Sequence, residues 1–562
     1  MAGVVLETLS NRKLLILGGF MLLLQIVFFL IGGLIAPKPS HVQHIIGTKC
    51  FERGLQGLKE FFHSRDGLKP CNRVQDFAEA EKLNISASEI VFTFQFPLPR
   101  DSRNLTMSRW FQHIISVLYV DVEDSTELPF NADEPYLMTM DARLGYRQKK
   151  DDADKYIEIA HSMENRTVTC ERISLREHEE EFHGEGLNFT DPSNHKDTIL
   201  QCDILPLFEL GSCHYDFYLV NIRIPVNDQK NVNTNLPKIT DLHLVAIHQN
   251  GGFTKVWLSI KTFVFPVLMA VLIWFWKRIA SLERPPRLIE KTLFALGLSL
   301  SFLNLPVEWM TLWFNMPFML LLSDIRQGIF YSILLCFWII FAGEHMMDQI
   351  ERNRLVIYWR HLAGVVFGCI CLFVFEMCER GVQMTNPFYN IWVTETGKRL
   401  ALAFIILAGI SACVYFLFLC TMIYRVYRNI SAKKSSLPSM NKARRKFYMG
   451  LIYRFKFLML GTLVCAAVTV IFFIISQVSE SHWKWDDEQQ KLEYTSAFFT
   501  GVYGMWNIYV LSLLILYAPS HKYMKVLDTD TATGSNEEEV EFETVPTEAS
   551  AMTAFAQKTA ED

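Results

Sequence analysis

Seven long apolar runs follow one another between residues 256 and 518, separated by short polar stretches. Each has roughly the 17 to 25 residues that carry an α-helix across about 30 Å of hydrocarbon. A water-soluble protein of ordinary size does not contain seven such runs in succession. The pattern therefore predicts a polytopic membrane protein with a seven-helix bundle over 256–518. The runs are Val256–Trp276, Thr292–Phe314, Ile325–Met346, Leu362–Cys378, Leu400–Tyr424, Phe457–Val478 and Ser496–Ala518.

Another apolar run, Leu14–Ala36, lies near the N-terminus and follows Arg12 and Lys13. A cleaved signal peptide is the alternative interpretation, but its apolar core normally spans about 7–15 residues. The run is too long for that, which favours a retained transmembrane helix over 14–36 behind a short cytoplasmic segment, 1–13. The predicted fold is an α-helical membrane protein with eight transmembrane helices, one plus a receptor-like bundle of seven.

Residues 37–255 are largely polar and carry the signals of a secreted segment. Four N-x-S/T glycosylation sequons and five cysteines place this region in the secretory lumen or outside the cell. Nearest-neighbour spacing favours the pairs Cys50–Cys71 and Cys170–Cys202, which leaves Cys213 free. Four cysteines alone still allow three pairings. The sequons are at Asn84, Asn104, Asn165 and Asn188.

Apolar and polar residues alternate in several stretches of the same segment. Ile90–Phe96, Met138–Leu144 and Tyr218–Ile224 show this period of two, and Leu242–Ile247 is typical of another strand. Such runs between Asn, Pro and Gly turns predict a lumenal antiparallel β-sandwich with one solvent-exposed face per sheet. For Arg109–Leu118 a short helix is a second interpretation.

Positive charge marks one side of the predicted bundle. With eight spans and a cytoplasmic N-terminus, loops 277–291, 347–361 and 425–456 are cytoplasmic, and the last holds ten basic residues and no acidic one. The lumenal loops 315–324 and 479–495 have few basic residues. This positive-inside bias agrees with the orientation that the sequons predict.

Two cytoplasmic segments have compositions that indicate partners. Residues 519–562 hold ten acidic and three basic residues, which predicts a disordered acidic tail. The basic loop 425–456 is expected to attract anionic membrane lipids, by about 1 kcal/mol for each basic residue at the surface. It also contains Tyr448-Met-Gly-Leu451, a Tyr-x-x-apolar motif of the kind that clathrin adaptors bind in extended form. The start of an interfacial helix is the alternative interpretation of this short motif.

Ionisable residues within membrane spans are costly and therefore suggest function. Four acidic and three basic side chains fall near the lumenal ends of the predicted spans, where they can neutralise one another. One interpretation is a structural ion-pair lock between helices, and the other is a polar rim around a lumenal opening. The residues are Lys261, Glu308, Asp324, Arg326, Glu376, Glu379 and Arg380.

Prolines and aromatic residues suggest a gap inside the bundle. Pro266 and Pro306 lie within the second and third predicted spans, where each removes a backbone hydrogen bond and is expected to kink its helix. Kinked helices lined by aromatic rings could leave a slot for a lipid chain, although aromatic residues more often serve plain packing. The predicted slot residues are Phe330, Tyr331, Trp338, Phe373, Phe375, Tyr503 and Trp506.

Several function classes find no support in the sequence. It contains no HExxH, G-x-S-x-G or Walker motif, so we predict neither an enzyme nor a cofactor. No pair of CxxC motifs is present, which argues against a structural zinc site. Glu344, His345 and Asp348 are metal-ligand residue types but lack further ligands at suitable spacing. A net charge of −5 argues against a nucleic-acid partner.

Several longer strings resemble the Wntless (Evenness interrupted) family, membrane carriers of lipid-modified Wnt proteins. The similarity extends from about residue 1 to residue 522, and the Glu- and Thr-rich end is more similar to arthropod members than to vertebrate ones. The strings are IHQNGGFTKVW (247–257), SDIRQGIFY (323–331), FAGEHMMDQ (341–349), MCERGVQMTNPFYNIW (377–392), YRFKFLML (453–460) and YGMWNIYV (503–510).

The resemblance implies a lumenal β-sandwich, a bundle similar to G-protein-coupled receptors, and a Wnt acyl chain held inside that bundle. It also implies travel between the Golgi, endoplasmic reticulum, endosomes and plasma membrane, with endocytosis by a clathrin adaptor and retrieval by retromer. The endocytic signal of the family, Tyr-Glu-Gly-Leu, maps onto Tyr448 to Leu451 with Met449 in place of Glu. Vertebrate members end in an ER-retrieval signal that Thr559–Asp562 does not reproduce.

Two other function classes fit the sequence less well than a cargo carrier. A signalling receptor coupled to a G protein would use the same seven helices, but no Asp-Arg-Tyr-like triplet closes a span on the cytoplasmic side. A transporter or lipid-modifying enzyme is disfavoured because the sequence shows neither an internal repeat nor a catalytic motif.

Overall fold

The computed structural model of the protein combines a β-sandwich with a helical bundle. The predicted fold, eight transmembrane helices with a β-sandwich inserted after the first, is thereby confirmed. The described residues are 5–9, 11–55, 57–63, 70–97, 105–122, 135–152, 155–174, 198–234, 236, 239–282, 284–346, 354–432, 442–483 and 495–520.

Two antiparallel sheets face each other in the sandwich, and a separate strand pair flanks them. The four-stranded sheet has the order β1-β12-β5-β10, the six-stranded sheet β3-β2-β4-β11-β6-β7, and β8 pairs with β9. The strands are β1 (Ser40–Ile46), β2 (Thr48–Phe51), β3 (Asn72–Arg73), β4 (Ile90–Phe96), β5 (Ile114–Val122), β6 (Tyr136–Arg147), β7 (Ile157–Val168), β8 (Cys170–Ser174), β9 (Thr198–Cys202), β10 (Leu205–Leu210), β11 (Phe217–Arg223) and β12 (Ile239–Gln249).

The four strands predicted from alternation are all present, as β4, β6, β11 and β12. Their apolar positions form the core between the sheets, where Phe94 lies opposite Val220 in the β4–β11 register and both are fully buried. Two disulfides join Cys50 to Cys71 and Cys170 to Cys202, while Cys213 is buried and free.

The prediction of one exposed face per sheet is wrong for the centre of the six-stranded sheet. Thr93 and Asn221 lie on the polar face of β4 and β11, yet both are buried. The backbone N–H of Phe62 donates to the Asn221 side chain at 2.9 Å, and the Asn221 amide donates back to the Phe62 carbonyl at 3.1 Å. The segment 57–63, between β2 and β3, therefore covers this face and satisfies its polar groups.

Arg109–Leu118 is not a helix. Only Arg109–Phe111 forms a 3-10 turn, capped by the Ser108 side chain, and β5 begins at Ile114. Gln112 between them has φ +61°, which ends the turn. The alternation of apolar residues after it fits a strand better than a helix.

Ten α-helices occur in the described residues, and eight helical segments are long and apolar enough to cross a membrane. The first span continues past α2 as a π-helix, Ile31–Ile35. The helices are α1 (Val5–Thr8), α2 (Asn11–Leu30), α3 (Phe77–Lys82), α4 (Gly251–Ala280), α5 (Leu288–Asn304), α6 (Met319–Met346), α7 (Leu355–Gln383), α8 (Glu395–Ala432), α9 (Lys442–Trp483) and α10 (Thr495–Tyr517).

The two predicted kinks differ in outcome. Pro266 lies inside α4, which continues through it. Pro306 does not kink a helix, because α5 already ends at Asn304 and a 3-10 segment, Val307–Leu312, follows the proline. A proline cannot donate the next helical hydrogen bond, so the third predicted span, Thr292–Phe314, is divided there.

The first span packs against the last through residues that leave no room for larger side chains. A Cβ added to Gly32 would overlap with the Thr500 hydroxyl, and one added to Gly504 would overlap with the Phe28 ring. The Thr500 hydroxyl also donates to the Phe28 carbonyl at 2.9 Å. Close backbone approach of this kind is how helices associate in lipid.

Candidate functional site

The sandwich and the bundle meet in a bonded junction. The loop after α7 inserts Phe388 into the sandwich core, where it is fully buried with its ring centroid 6.0 Å from that of Phe208. The buried Arg166 of β7 donates to the Phe388 carbonyl at 2.8 Å, and the backbone N–H of Glu209 donates to the Pro387 carbonyl at 2.9 Å. The two parts are therefore tied to each other by both apolar and polar contacts.

A cavity of about 280 Å³ lies at this junction. Its sandwich side carries tyrosines, and the Tyr146 and Tyr215 rings stack with their centroids 3.6 Å apart. Its bundle side combines aliphatic and charged residues. Burial raises the pKa of Tyr215 to about 12, so its hydroxyl is neutral at any physiological pH. The lining of the cavity includes Tyr146, Glu209, Gly211, Tyr215, Leu320, Leu321, Arg380 and Met384.

Gly211 fixes how closely the sandwich approaches the bundle at this cavity. A Cβ at this position would overlap with the carbonyl oxygen of Pro317, which is backbone and cannot swing away. We expect Gly211→Ala to weaken the junction by about 1–3 kcal/mol, seen as faster hydrogen exchange in 205–210 and 384–390. Gly57→Ala, where added volume meets open space, is the matched control and should leave exchange in both segments unchanged. Equal effects of the two variants would contradict this account.

The predicted charge cluster divides into two groups. In the first, Glu308 accepts from Lys261 and from Arg326, each at 2.7 Å. Arg326 also donates to the Leu305 carbonyl at 2.8 Å, in the break that Pro306 introduces. All three charged side chains are buried or nearly so. This group ties α4, the 3-10 segment and α6 together, as an ion-pair lock would.

The second group reaches out of the bundle. Arg380 near the end of α7 pairs with Glu209 of β10 and lies 3.7 Å from Asp324 of α6. Gln383 donates to the same Glu209 at 3.2 Å. Glu376 and Glu379 lie on α7 with Arg380, and Glu379 is buried. Glu209 is the member that the sequence did not indicate, because it comes from the sandwich rather than from a span.

One titratable group of the sandwich lies close to this second group. Burial lowers the pKa of His113, and the neighbouring Glu209 carboxylate only partly opposes the shift. His113 is therefore neutral at neutral pH, and the charge of Glu209 is met by Arg380 rather than by an imidazolium.

The predicted slot residues do not form one group. Phe330, Tyr331 and Trp506 contact one another, with ring centroids 5.4 to 6.1 Å apart. Trp338 is fully buried in the same cluster and donates to the Tyr509 hydroxyl at 3.1 Å. These rings lie in the interior of the bundle, where they form an aromatic cluster.

The other three slot residues lie elsewhere. Tyr503 packs in a separate cluster, with its ring centroid 4.8 Å from that of Trp257. Phe373 is exposed on α7, and Phe375 of the same helix faces Phe404 of α8 at 5.4 Å. A helix in lipid exposes apolar side chains as freely as it buries them, so composition alone could not separate the two sets.

The remaining predicted sites fall in different parts of the chain. Asn84 and Asn165 are exposed on the sandwich, and Asn165 accepts from the Thr139 hydroxyl at 2.8 Å. Asn104 and Asn188 lie outside the described residues, as does the tail from 521 onward. Tyr448 to Leu451 is helical, within the first turns of α9. No group of three or more potential metal ligands occurs among the described residues.

Comparison with known proteins identifies both parts of the chain. Residues 48–249 match the Wntless GOLD domain, and residues 250–521 match the Wntless-like transmembrane domain. "Protein wntless" of Drosophila virilis is 49% identical over the full length of both chains. "Protein wntless homolog" of Homo sapiens is 49% identical over 93% of this chain and 92% of its own. The chain therefore belongs to the Wntless family, which acts in Wnt secretion and transport.

Proposed function

We propose that the protein is a cargo receptor that binds acylated Wnt proteins, shelters the acyl chain in its bundle and carries them to the cell surface. The observation that supports this most directly is the junction cavity. It offers tyrosines and the Glu209 carboxylate from the sandwich, and apolar side chains from α6 and from Met384 at the end of α7. A protein surface and the lipid attached to it need these two kinds of contact side by side.

The physical need for such a carrier follows from the cost of hydrating a lipid. Each CH₂ group kept in water costs about 0.8 kcal/mol, so a long acyl chain costs on the order of 10 kcal/mol. We propose that the chain enters at Leu320 and Met384 and runs along α6 toward Tyr331 and Trp506. On this proposal the rings of the aromatic cluster separate when the chain is bound.

The orientation that goes with this proposal places the sandwich in the lumen and both ends of the chain in the cytoplasm. The sequons on the sandwich and the basic loops at the other end of the bundle support it. After delivery the protein would return by endocytosis, through a clathrin adaptor at Tyr448 and Leu451 and retrieval by retromer. It acts on its cargo by binding and release and not by catalysis.

A G-protein-coupled receptor is the alternative that the fold invites. Such a receptor opens a cleft between its helices at the cytoplasmic end. Here Leu6 of α1 is 1% exposed at that end, in one cluster with Phe341 and Tyr517. In the described residues, α1 thus occupies the place where such a cleft would open.

The proposal is tested by mapping the acyl chain with photo-crosslinkers in purified complexes. A diazirine at the far end of the chain should label α6, α7 or α10, while the same group next to the point of attachment should label the junction cavity. Wnt carrying the diazirine on a short chain is the control and should label only the junction. Adducts confined to residues 40–249 for every analogue would overturn the acyl-chain site.

A further inference from the structure

The N-terminal helix α1 fills the end of the bundle opposite the sandwich, which we call the distal end. Leu6 is buried in the hydrophobic cluster that includes Phe341 and Ala518, and Val5 and Leu9 pack against that cluster. The backbone N–H of Val5 donates to the Ala518 carbonyl at 2.9 Å. The segment 5–9 is therefore held at this end by both apolar burial and a backbone hydrogen bond.

The same segment is bonded to the start of α9. Arg454 donates to the Leu6 carbonyl at 3.0 Å. Met449, inside the Tyr448–Leu451 motif, packs against the cluster that buries Leu6, and Ile452 belongs to it. Arg454 lies within one helical turn of Leu451, so α1 stabilises the stretch of α9 that carries the motif.

Residues 448–451 are helical in this structure, whereas an adaptor binds a Tyr-x-x-apolar motif in extended form. Four residues span about 6 Å in a helix and about 13 Å when extended. The first turns of α9 must therefore unwind beyond Leu451 before an adaptor can bind. Unwinding there loosens the turn in which Arg454 donates to α1.

We propose that α1 is an internal plug that keeps the endocytic motif helical and withheld from clathrin adaptors until the segment 5–9 leaves the distal end. This inference rests on the proposed recycling through Tyr448. The contacts that hold a helix end determine how often it opens. The fraction of molecules in which the motif is unwound then sets the apparent affinity of the protein for the adaptor. Docking of α1 thus sets how fast the protein leaves the cell surface.

The test compares internalisation of surface-labelled full-length variants. Leu6→Asp places a charge in the cluster and should speed internalisation several-fold. Leu527→Asp makes the same chemical change in the tail, outside the described residues, and should leave the rate unchanged. In a Tyr448→Ala background, Leu6→Asp should have no effect. Internalisation that is unchanged by Leu6→Asp, or accelerated without Tyr448, would overturn the proposal.

Arg454→Ala separates the plug from general damage to the helix. Alanine has the higher intrinsic helix propensity, so faster internalisation of this variant cannot come from a weaker helix and points to the lost contacts of the Arg454 side chain, among them its bond to the Leu6 carbonyl. In purified protein, both Leu6→Asp and Arg454→Ala should speed amide exchange at 446–452, by about tenfold for Leu6→Asp. Unchanged exchange would contradict the plug. If Tyr448→Ala alone leaves internalisation normal, the proposed recycling signal fails instead.

Discussion

Wnt that lacks its acyl chain is expected to bind this protein at least about a thousandfold more weakly than acylated Wnt, a loss of about 4 kcal/mol. This is less than half of the roughly 10 kcal/mol that a long chain costs in water. The expected loss of binding free energy is smaller than the cost in water because the acyl chain of unbound cargo lies in a bilayer or micelle. The measurement is equilibrium binding of purified cargo to the full-length protein in nanodiscs.

The matched control for this experiment is acylated cargo with a substitution at a residue that does not carry the chain, which should bind as the unaltered cargo does. Contacts with the sandwich act equally on both forms and cancel in the comparison. If unacylated cargo bound with undiminished affinity, the bundle would have no part in holding the lipid. The fold and family assignment would be unaffected.

Glu308→Gln is expected to destabilise the bundle by about 3–5 kcal/mol. The substitution preserves shape but leaves Lys261 and Arg326 buried without their shared counter-charge, at 4% and 1% exposure. Breaking a buried pair costs more than the pair contributes, because the desolvated charges remain. Unfolding in mixed micelles with increasing SDS measures the change in free energy.

A second glutamate–arginine pair provides the control. Glu395 and Arg399 lie 2.9 Å apart, but their side chains are 69% and 78% exposed. Glu395→Gln should change the free energy of unfolding by less than about 0.5 kcal/mol. Adding Lys261→Met to Glu308→Gln should recover part of the stability by removing one unpaired charge. A double variant no more stable than Glu308→Gln would refute the charge-burial explanation.

The parts of the fold that a local pattern dictates could be predicted from the sequence. An α-helix in lipid must be long and apolar, and a half-buried strand must alternate, so both the spans and the strands β4, β6, β11 and β12 were identified. The division at Pro306 was not, because a proline inside an apolar run is compatible with either a kink or an end. Here the helix ends, and Arg326 stabilises the break by donating to the Leu305 carbonyl.

The candidate site was predicted only in part, since it depends on contacts between distant segments. The identity of Glu308 as a membrane-embedded acid was evident, and its pairing with Lys261 fits the ion-pair lock that was one of the two interpretations. Glu209 and Phe388 carried no signal, because an acidic residue in a polar domain and an apolar residue near a span are both unremarkable. Their roles arise from the contact between the sandwich and the loop after α7.

The insertion of Phe388 into the sandwich has a consequence for biosynthesis. The strands of the sandwich end at Gln249, yet their core includes a side chain that follows the fifth span. A ribosome that has completed the sandwich must still synthesise more than a hundred residues and four more helices before that core is filled. The sandwich can therefore complete its core only after the first five spans have been synthesised and the loop after α7 has reached it.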